Sequence, residues 1–222
     1  MLRDIIIIYH ERLGDIARCF PLAKYYADKG RHVFIECKPQ YHGLFQLVSY
    51  CTPISPGHMP KDAEVIDLQI WPDKFKDFEA SGDNWMDFIY APWPDCDRQI
   101  VFDSRRWQTF TRDVPKWVTS ACLVFPSGYS QRNPPDPRAV ILKSHELFPG
   151  VPVCVVGKGD LGCFELRSIP ELVAWIESAR HVLTVNSAPS ILASAVRPSW
   201  HHIPDLDPRH DFIHENQIRV SR

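Results

Sequence analysis

Apolar residues in this chain come in short bursts, and the bursts alternate between two periods. Ile5, Ile6, Ile7 and Ile8 form an aliphatic run that closes on Tyr9, the pattern of a strand covered on both faces. From Asp15 to Lys29 the apolar positions Ile16, Cys19, Phe20, Ala23, Tyr26 and Ala27 recur at helical spacing and stop before Gly30, which predicts a helix. His32 to Cys37 reads as a second strand, residues near 41–49 as a helix, and Glu64 to Leu68 as another strand. Strand, helix, strand in that order predicts a parallel sheet. The stretch from Trp71 to Trp93 is aromatic without a clear period, Gln99 to Phe102 reads as a strand, and a basic connection follows to about Thr119.

The second half repeats the alternation. Strands are expected at 121–125, 152–156 and 181–185, and helices at 137–147, 169–179 and 188–196. The chain is thus an α/β protein of two Rossmann-like lobes with parallel sheets, residues 1–105 and 119–222. Ligands of such sheets sit beyond the carboxyl ends of the strands, so the loops after Tyr9, Phe125, Val156 and Val185 are expected to carry the chemistry.

Composition narrows the class. In 222 residues, 45% hydrophobic and 23% charged is the balance of an ordinary globular protein. No aliphatic run approaches the roughly 18 apolar residues of a spanning helix, and no leader with a small-residue cleavage site is read at the start. The expectation is a cytoplasmic protein without a membrane span. The formal charge of -2 excludes a broadly basic nucleic-acid binder and leaves only local patches. Seven cysteines, an odd number without a C-x-x-C pair, read as reduced thiols, with Cys37, Cys122 and Cys154 in apolar runs. Twenty prolines against an average of about 5% predict many rigid turns.

The first loop reads Tyr9-His-Glu-Arg-Leu-Gly-Asp15. Gly14 allows a close approach to the following helix, and Asp15 stands at or near its N-terminus, where it serves either as a cap or as a general base at a strand end. His10 and Glu11 are rival bases in the same loop. After the strand at 121–125 comes Pro126-Ser-Gly-Tyr-Ser-Gln-Arg132, whose Ser127, Gly128, Ser130 and Arg132 offer backbone N–H groups, hydroxyls and a guanidinium suited to a phosphate. Neither a Walker sequence nor G-x-G-x-x-G is present. Val185-Asn-Ser-Ala-Pro189 opens the last clear helix, with Asn186 or Ser187 as cap and Ala188 and Pro189 in the first turn. Beyond capping, such a terminus suits a diphosphate.

Taken in order, these loops resemble the nucleotide-sugar glycosyltransferases of the heptosyltransferase-like group, the family 9 type of the GT-B fold. The resemblance rests on Leu13-Gly14-Asp15 with Pro21, on 126–134, on Ser168-Ile-Pro-Glu-Leu-Val-Ala-Trp-Ile176, and on Asn186 to Ala193. The family's closing signature has Asp, Gly and His where this chain has Asn186, Ala188 and Ile191, and its two-domain members usually run longer. The resemblance implies two lobes facing a cleft, with Asp15 as base. It also implies metal-independent, inverting transfer from a nucleoside-diphosphate sugar, without a further cofactor, to an acceptor hydroxyl. The acceptor classes are a glycan, a lipopolysaccharide core or a hydroxymethylated DNA base, the last fitting a phage or accessory role in DNA modification. The altered signature keeps a second reading open: a nucleotide- or partner-binding module without turnover.

Charge along the chain bears on the acceptor. Residues 61–97 carry ten acidic residues against three lysines, which repels a phosphate backbone. The aromatics there, Trp71, Phe75, Phe78, Trp85, Phe88, Tyr90 and Trp93, are therefore expected to pack. In 98–138 the balance reverses, with Arg98, Arg105, Arg106, Arg112, Lys116, Arg132 and Arg138 against three aspartates, a stretch able to follow modified DNA or to face solvent. His201, His202, His210, His214, Asp205, Asp207 and Asp211 crowd the C-terminus, but no metalloenzyme spacing is present, and no metal is expected.

Overall fold

In a computed structural model of the chain, which describes residues 3–9, 12–70, 73–128, 135–157, 164–202 and 217–220, the fold divides into two units. The first reaches Asp103 and the second begins at Ser104.

The first unit is built on strands β1 (Ile5–Ile8), β2 (Val33–Glu36), β3 (Thr52–Ile54) and β4 (Glu64–Asp67), in the order β3-β2-β1-β4 with every pair parallel. The aliphatic run of β1 is buried throughout, as its uniform pattern requires. The helix expected over 15–29 is two helices, α1 (Leu13–Arg18) and α2 (Phe20–Asp28), divided at Cys19. Pro21 is the cause: it has no N–H to donate to the carbonyl of Ala17, so a single ladder cannot run through it. It stands instead in the first turn of α2, where its fixed φ is an asset. The run from Pro39 to Leu47, read as a helix, is of the tighter 3-10 kind. β3 contains Pro53, which an edge strand tolerates.

The aperiodic aromatic stretch holds two short helices, α3 (Phe75–Ser81) and α4 (Trp85–Tyr90). Gly82 ends the first with a φ of 75°, and the Asn84 side chain caps the second by accepting from the Asp87 N–H. Phe78 packs edge-on against Trp85 and Phe88, and the Trp93 indole donates to the Tyr26 hydroxyl at 2.9 Å, so these aromatics pack as their acidic setting implied; Trp71 lies outside the described residues. No strand forms over Gln99 to Phe102. There the Gln99 N–H is taken by the Asp97 carboxylate and that of Asp103 by the Leu47 carbonyl, which leaves no ladder to join.

The second unit opens with α5 (Ser104–Thr111), then β5 (Cys122–Phe125), α6 (Pro137–Leu147), β6 (Val153–Val155), α7 (Ile169–Ser178), β7 (His181–Thr184), α8 (Ala188–Ser194), β8 (Ser199–His202) and β9 (Gln217–Val220). Its sheet is parallel throughout in the order β6-β5-β7-β8-β9. β8 and β9 extend it beyond the strands read from sequence. The expected connecting segment belongs to this unit from Ser104 onward: Trp107 of α5 is buried, and its indole donates to Glu177 of α7 at 2.7 Å. Ser168 caps α7 by accepting from the Glu171 N–H. At the other end of α7, the Arg197 guanidinium donates to the carbonyls of Ile176, Glu177, Ala179 and Arg180, satisfying groups that a helix end leaves open.

Among the described residues six cysteines are buried free thiols. Burial, assisted by Glu36, pushes the Cys37 thiol up to about 11, and the thiols of Cys19 and Cys51 are also raised by burial, so these act as small hydrophobes rather than thiolate nucleophiles. No helix among the described residues is long and apolar enough to cross a membrane.

Phe20 is the best single probe of the first unit. It is fully buried, with Phe45, Tyr50 and Phe102 edge-on at 5.5, 6.1 and 6.2 Å between ring centroids. Phe20→Ala is expected to cost about 3–5 kcal/mol in urea unfolding, whereas Leu142→Ala, at an exposed position of α6, stays within about 0.5 kcal/mol.

Candidate functional site

An open parallel sheet has a place where successive crossovers leave in opposite directions, and the carboxyl ends of the two neighbouring strands there border the crevice in which ligands bind. In the second unit the chain runs from β5 outward to β6 and returns to place β7 on the other side of β5. The loops after β5 and β7 therefore flank the switch point. Both are loops whose residue types suit a phosphate.

The structure brings the two together. A Cβ built on Gly128 would lie 2.7 Å from the Asn186 carbonyl oxygen and 3.3 Å from the Ser187 Cβ. Gly128 is buried and Ser127 beside it exposed, so the first loop passes its backbone directly over the second. Ser187 is the residue preceding α8, its backbone extended, and its hydroxyl donates to the Val185 carbonyl rather than capping the helix. Ala188 and Pro189 form the first turn. Ser190 is fixed from the sheet: the buried Gln217 carboxamide of β9 donates to its carbonyl and its hydroxyl, both at 2.8 Å. Gln217 has no signal in sequence, because β9 itself was not legible. Ile191, at the position of the family's His, is buried. Ser130 and Arg132 lie outside the described residues.

In the first unit the loop after β1 leads into α1. Residues His10 and Glu11 lie outside the described residues. Gly14 is buried in the first turn of α1 and carries no left-handed backbone. Asp15 is not the cap; that position is held by Arg12 without a side-chain bond. Asp15 is the third residue of α1, and its Oδ1 accepts from Arg18 Nη1 at 2.9 Å, with the arginine side chain 7% exposed and the aspartate 20%. Burial draws the Arg18 guanidinium below its ordinary range, and Asp15 is the main group that opposes this. Tyr9 closes β1: the Trp85 indole donates to its hydroxyl at 3.3 Å. Burial and then the Asp15 charge push its phenol well above the ordinary range. The Asp15–Arg18 pair is legible as an i, i+3 spacing, but its burial is not. Glu36, another carboxylate missed in sequence, is buried at the carboxyl end of β2 in register with Ile8.

Elsewhere the expected groups separate. Arg98 pairs with Asp87, while Arg105, Arg106, Arg112, Lys116 and Arg138 are exposed. His201 and His202 are buried on β8, and the rest of the C-terminal His and Asp cluster lies outside the described residues. Among the described residues no three His, Cys, Asp or Glu side chains come together as a metal site.

No protein-family model matches the chain, and no curated protein matches it. Solved structures do. A family 9 glycosyl transferase from Veillonella parvula aligns with a TM-score of 0.68 at 10% identity, over 99% of this chain and 86% of that one. The iron-containing dodecameric glycosyltransferase TibC from enterotoxigenic E. coli aligns with a TM-score of 0.66 at 15% identity, over 98% of this chain and 63% of that one. The E. coli heptosyltransferase WaaC, in complex with ADP-2-deoxy-2-fluoro heptose, aligns with a TM-score of 0.61 at 12% identity, over 98% of this chain and 92% of that one. The GT-B-like α/β architecture and the structural resemblance to family 9 glycosyltransferases are thus shown, across nearly the whole chain.

The contact of the two loops makes a direct prediction. Gly128→Ala forces a methyl onto a backbone carbonyl at 2.7 Å that cannot swing aside, and is expected to cost about 1–3 kcal/mol as overpacking. Chemical denaturation checks it against Ser127→Ala, which at an exposed position is expected to stay within about 0.5 kcal/mol.

Proposed function

We propose that this chain is a glycosyltransferase that moves a sugar from a nucleoside diphosphate to an acceptor hydroxyl. The observation that carries the reading is the meeting of Gly128 with Asn186 and Ser187 at the β5/β7 switch point, in a fold shared with sugar transferases. The donor diphosphate is assigned to the backbone N–H groups around Gly128 and to those of Ser187 and Ala188 at the start of α8, where Pro189 has no N–H to offer, with Asn186, Ser127, Ser130 and Arg132 as further polar contacts. The first unit then serves the acceptor and the second the donor.

Asp15 is the proposed base, with His10 and Glu11, a few residues ahead of it in sequence, as alternatives. In the transfer step the acceptor oxygen bonds to the anomeric carbon as the bond from that carbon to the diphosphate oxygen breaks. The electron pair leaves with the nucleoside diphosphate, the hydroxyl proton passes to Asp15, and the anomeric centre inverts. Hydrogen-bond donors and arginine at the leaving diphosphate can serve the role a metal plays elsewhere, so the reaction is proposed to need no metal and no cofactor besides the sugar donor. Proposed acceptors are a glycan, a lipopolysaccharide core or a hydroxymethylated DNA base approached along the exposed arginines of 98–138. The cytoplasm is the proposed setting.

The test is release of free nucleoside diphosphate from UDP-, GDP- and ADP-sugars, ADP-heptose included, across that acceptor panel with and without chelator. Asp15→Asn is expected to lower turnover about 10²- to 10⁴-fold with donor affinity nearly unchanged. It also strands the buried Arg18 charge, at a cost of about 3–5 kcal/mol, so turnover is scored per folded molecule by circular dichroism. Nucleotide binding without release from any donor would favour the non-catalytic module; activity abolished by chelator would remove metal independence.

A further inference from the structure

Arg18 has no part in the resemblance that brought Asp15 forward, yet it is the group Asp15 is built around. Its side chain is 7% exposed and bonded to Asp15 at 2.9 Å, and the Tyr9 phenol, whose hydroxyl accepts from the Trp85 indole at 3.3 Å, lies close enough to act on its charge. The Arg18 carbonyl in turn accepts from the fully buried Tyr90 hydroxyl. Arg18 is thus set among fixed groups of α1, α4 and the end of β1, and its guanidinium bonds one carboxylate oxygen of the residue assigned as base. A buried guanidinium has a rigid planar fork and, once packed and paired, little rotamer freedom, and Asp15 is the more exposed member of the pair.

Resting on the glycosyltransferase reading, we propose that Arg18 is the positioning residue for the base, holding Asp15 in one rotamer with its charge compensated from the interior, so that the carboxylate meets the acceptor hydroxyl without reorganising. Removing a group that acts only through Asp15 costs nothing once Asp15 cannot act as a base. A group that merely supports the fold costs the same in either background. The distinction is a double-mutant cycle on kcat.

Wild type, Asp15→Asn, Arg18→Met and the double variant are assayed for nucleoside diphosphate release from the best donor of the panel. Arg18→Met is expected to lower kcat about 10- to 100-fold with the donor KM within about twofold, and the double variant to match Asp15→Asn within about twofold. The same cycle run with Arg18→Lys carries the test where Arg18→Met does not fold, since Lys keeps the buried charge but lacks the planar fork that fixes the direction of the bond to Asp15. Losses that multiply in the double variant, or a kcat per folded molecule that Arg18 substitution leaves intact, overturn the proposal while the enzyme reading stands. A wild type that binds nucleotide but releases none from any donor overturns the enzyme reading and the positioning role with it.

Discussion

A parallel strand pair cannot be closed by a tight turn; the chain must cross a face of the sheet and re-enter at the same end. Every strand pairing among the described residues is parallel, in both units. Within each sheet all carboxyl ends then lie along one edge, and the loops leaving that edge are the ones free of the crossover's length and packing demands. The β1 loop, which leads into α1 and Asp15, and the β5 and β7 loops with Gly128 and Asn186 are in this class. The rest of each unit is the machinery that makes parallel strands affordable: aliphatic strands buried on both sides, as in β1 and β5, and helices that cover them.

What sequence pattern conveys depends on whether a segment answers to one period or several constraints at once. The helix over Pro137 to Leu147 was legible to the residue because Asp136 and Pro137 mark its start and the apolar spacing runs uninterrupted. β1, β2, β5 and β7 were legible because a buried strand of a parallel sheet shows as a mainly apolar run, even where β2 closes on Glu36 and β7 opens on His181. The segments that escaped are those where local chemistry outweighed periodicity. Pro21 split a helix whose apolar spacing was continuous, and Pro53 disguised an edge strand. The helices α3 and α4 are each too short to show two turns of pattern.

The candidate site was legible in its residue types and not in its contacts. Gly128, Asn186 and Ser187 could each be named from their loops, but their meeting depends on β5 and β7 being neighbours, a fact of strand order that no local pattern encodes. Asp15 could be named as well, though as a cap or a base. The structure removes the first role by giving the cap to Arg12 and qualifies the second by setting Arg18 behind it. Burial is what sequence cannot show here, because an Asp–Arg pair three residues apart on an exposed helix face looks the same and is worth a few tenths of a kcal/mol.

The altered donor signature takes on a physical meaning once the second unit is seen. Ile191 is buried in the core rather than exposed to solvent, so this position of α8 serves packing. Ala188 in place of Gly restricts the backbone where the helix begins, and Asn186 in place of Asp removes a negative charge from a loop assigned to a diphosphate. Under the proposed donor assignment the last change lowers electrostatic repulsion toward the anion, while the Asn186 carbonyl still meets Gly128. A loop altered this way holds its shape through backbone approach and through Gln217, anchored from the sheet edge to Ser190. A diphosphate held there as proposed would be recognised by main-chain N–H groups, which read the part common to all nucleotide sugars, and discrimination among donors would then come from contacts with the base and the sugar.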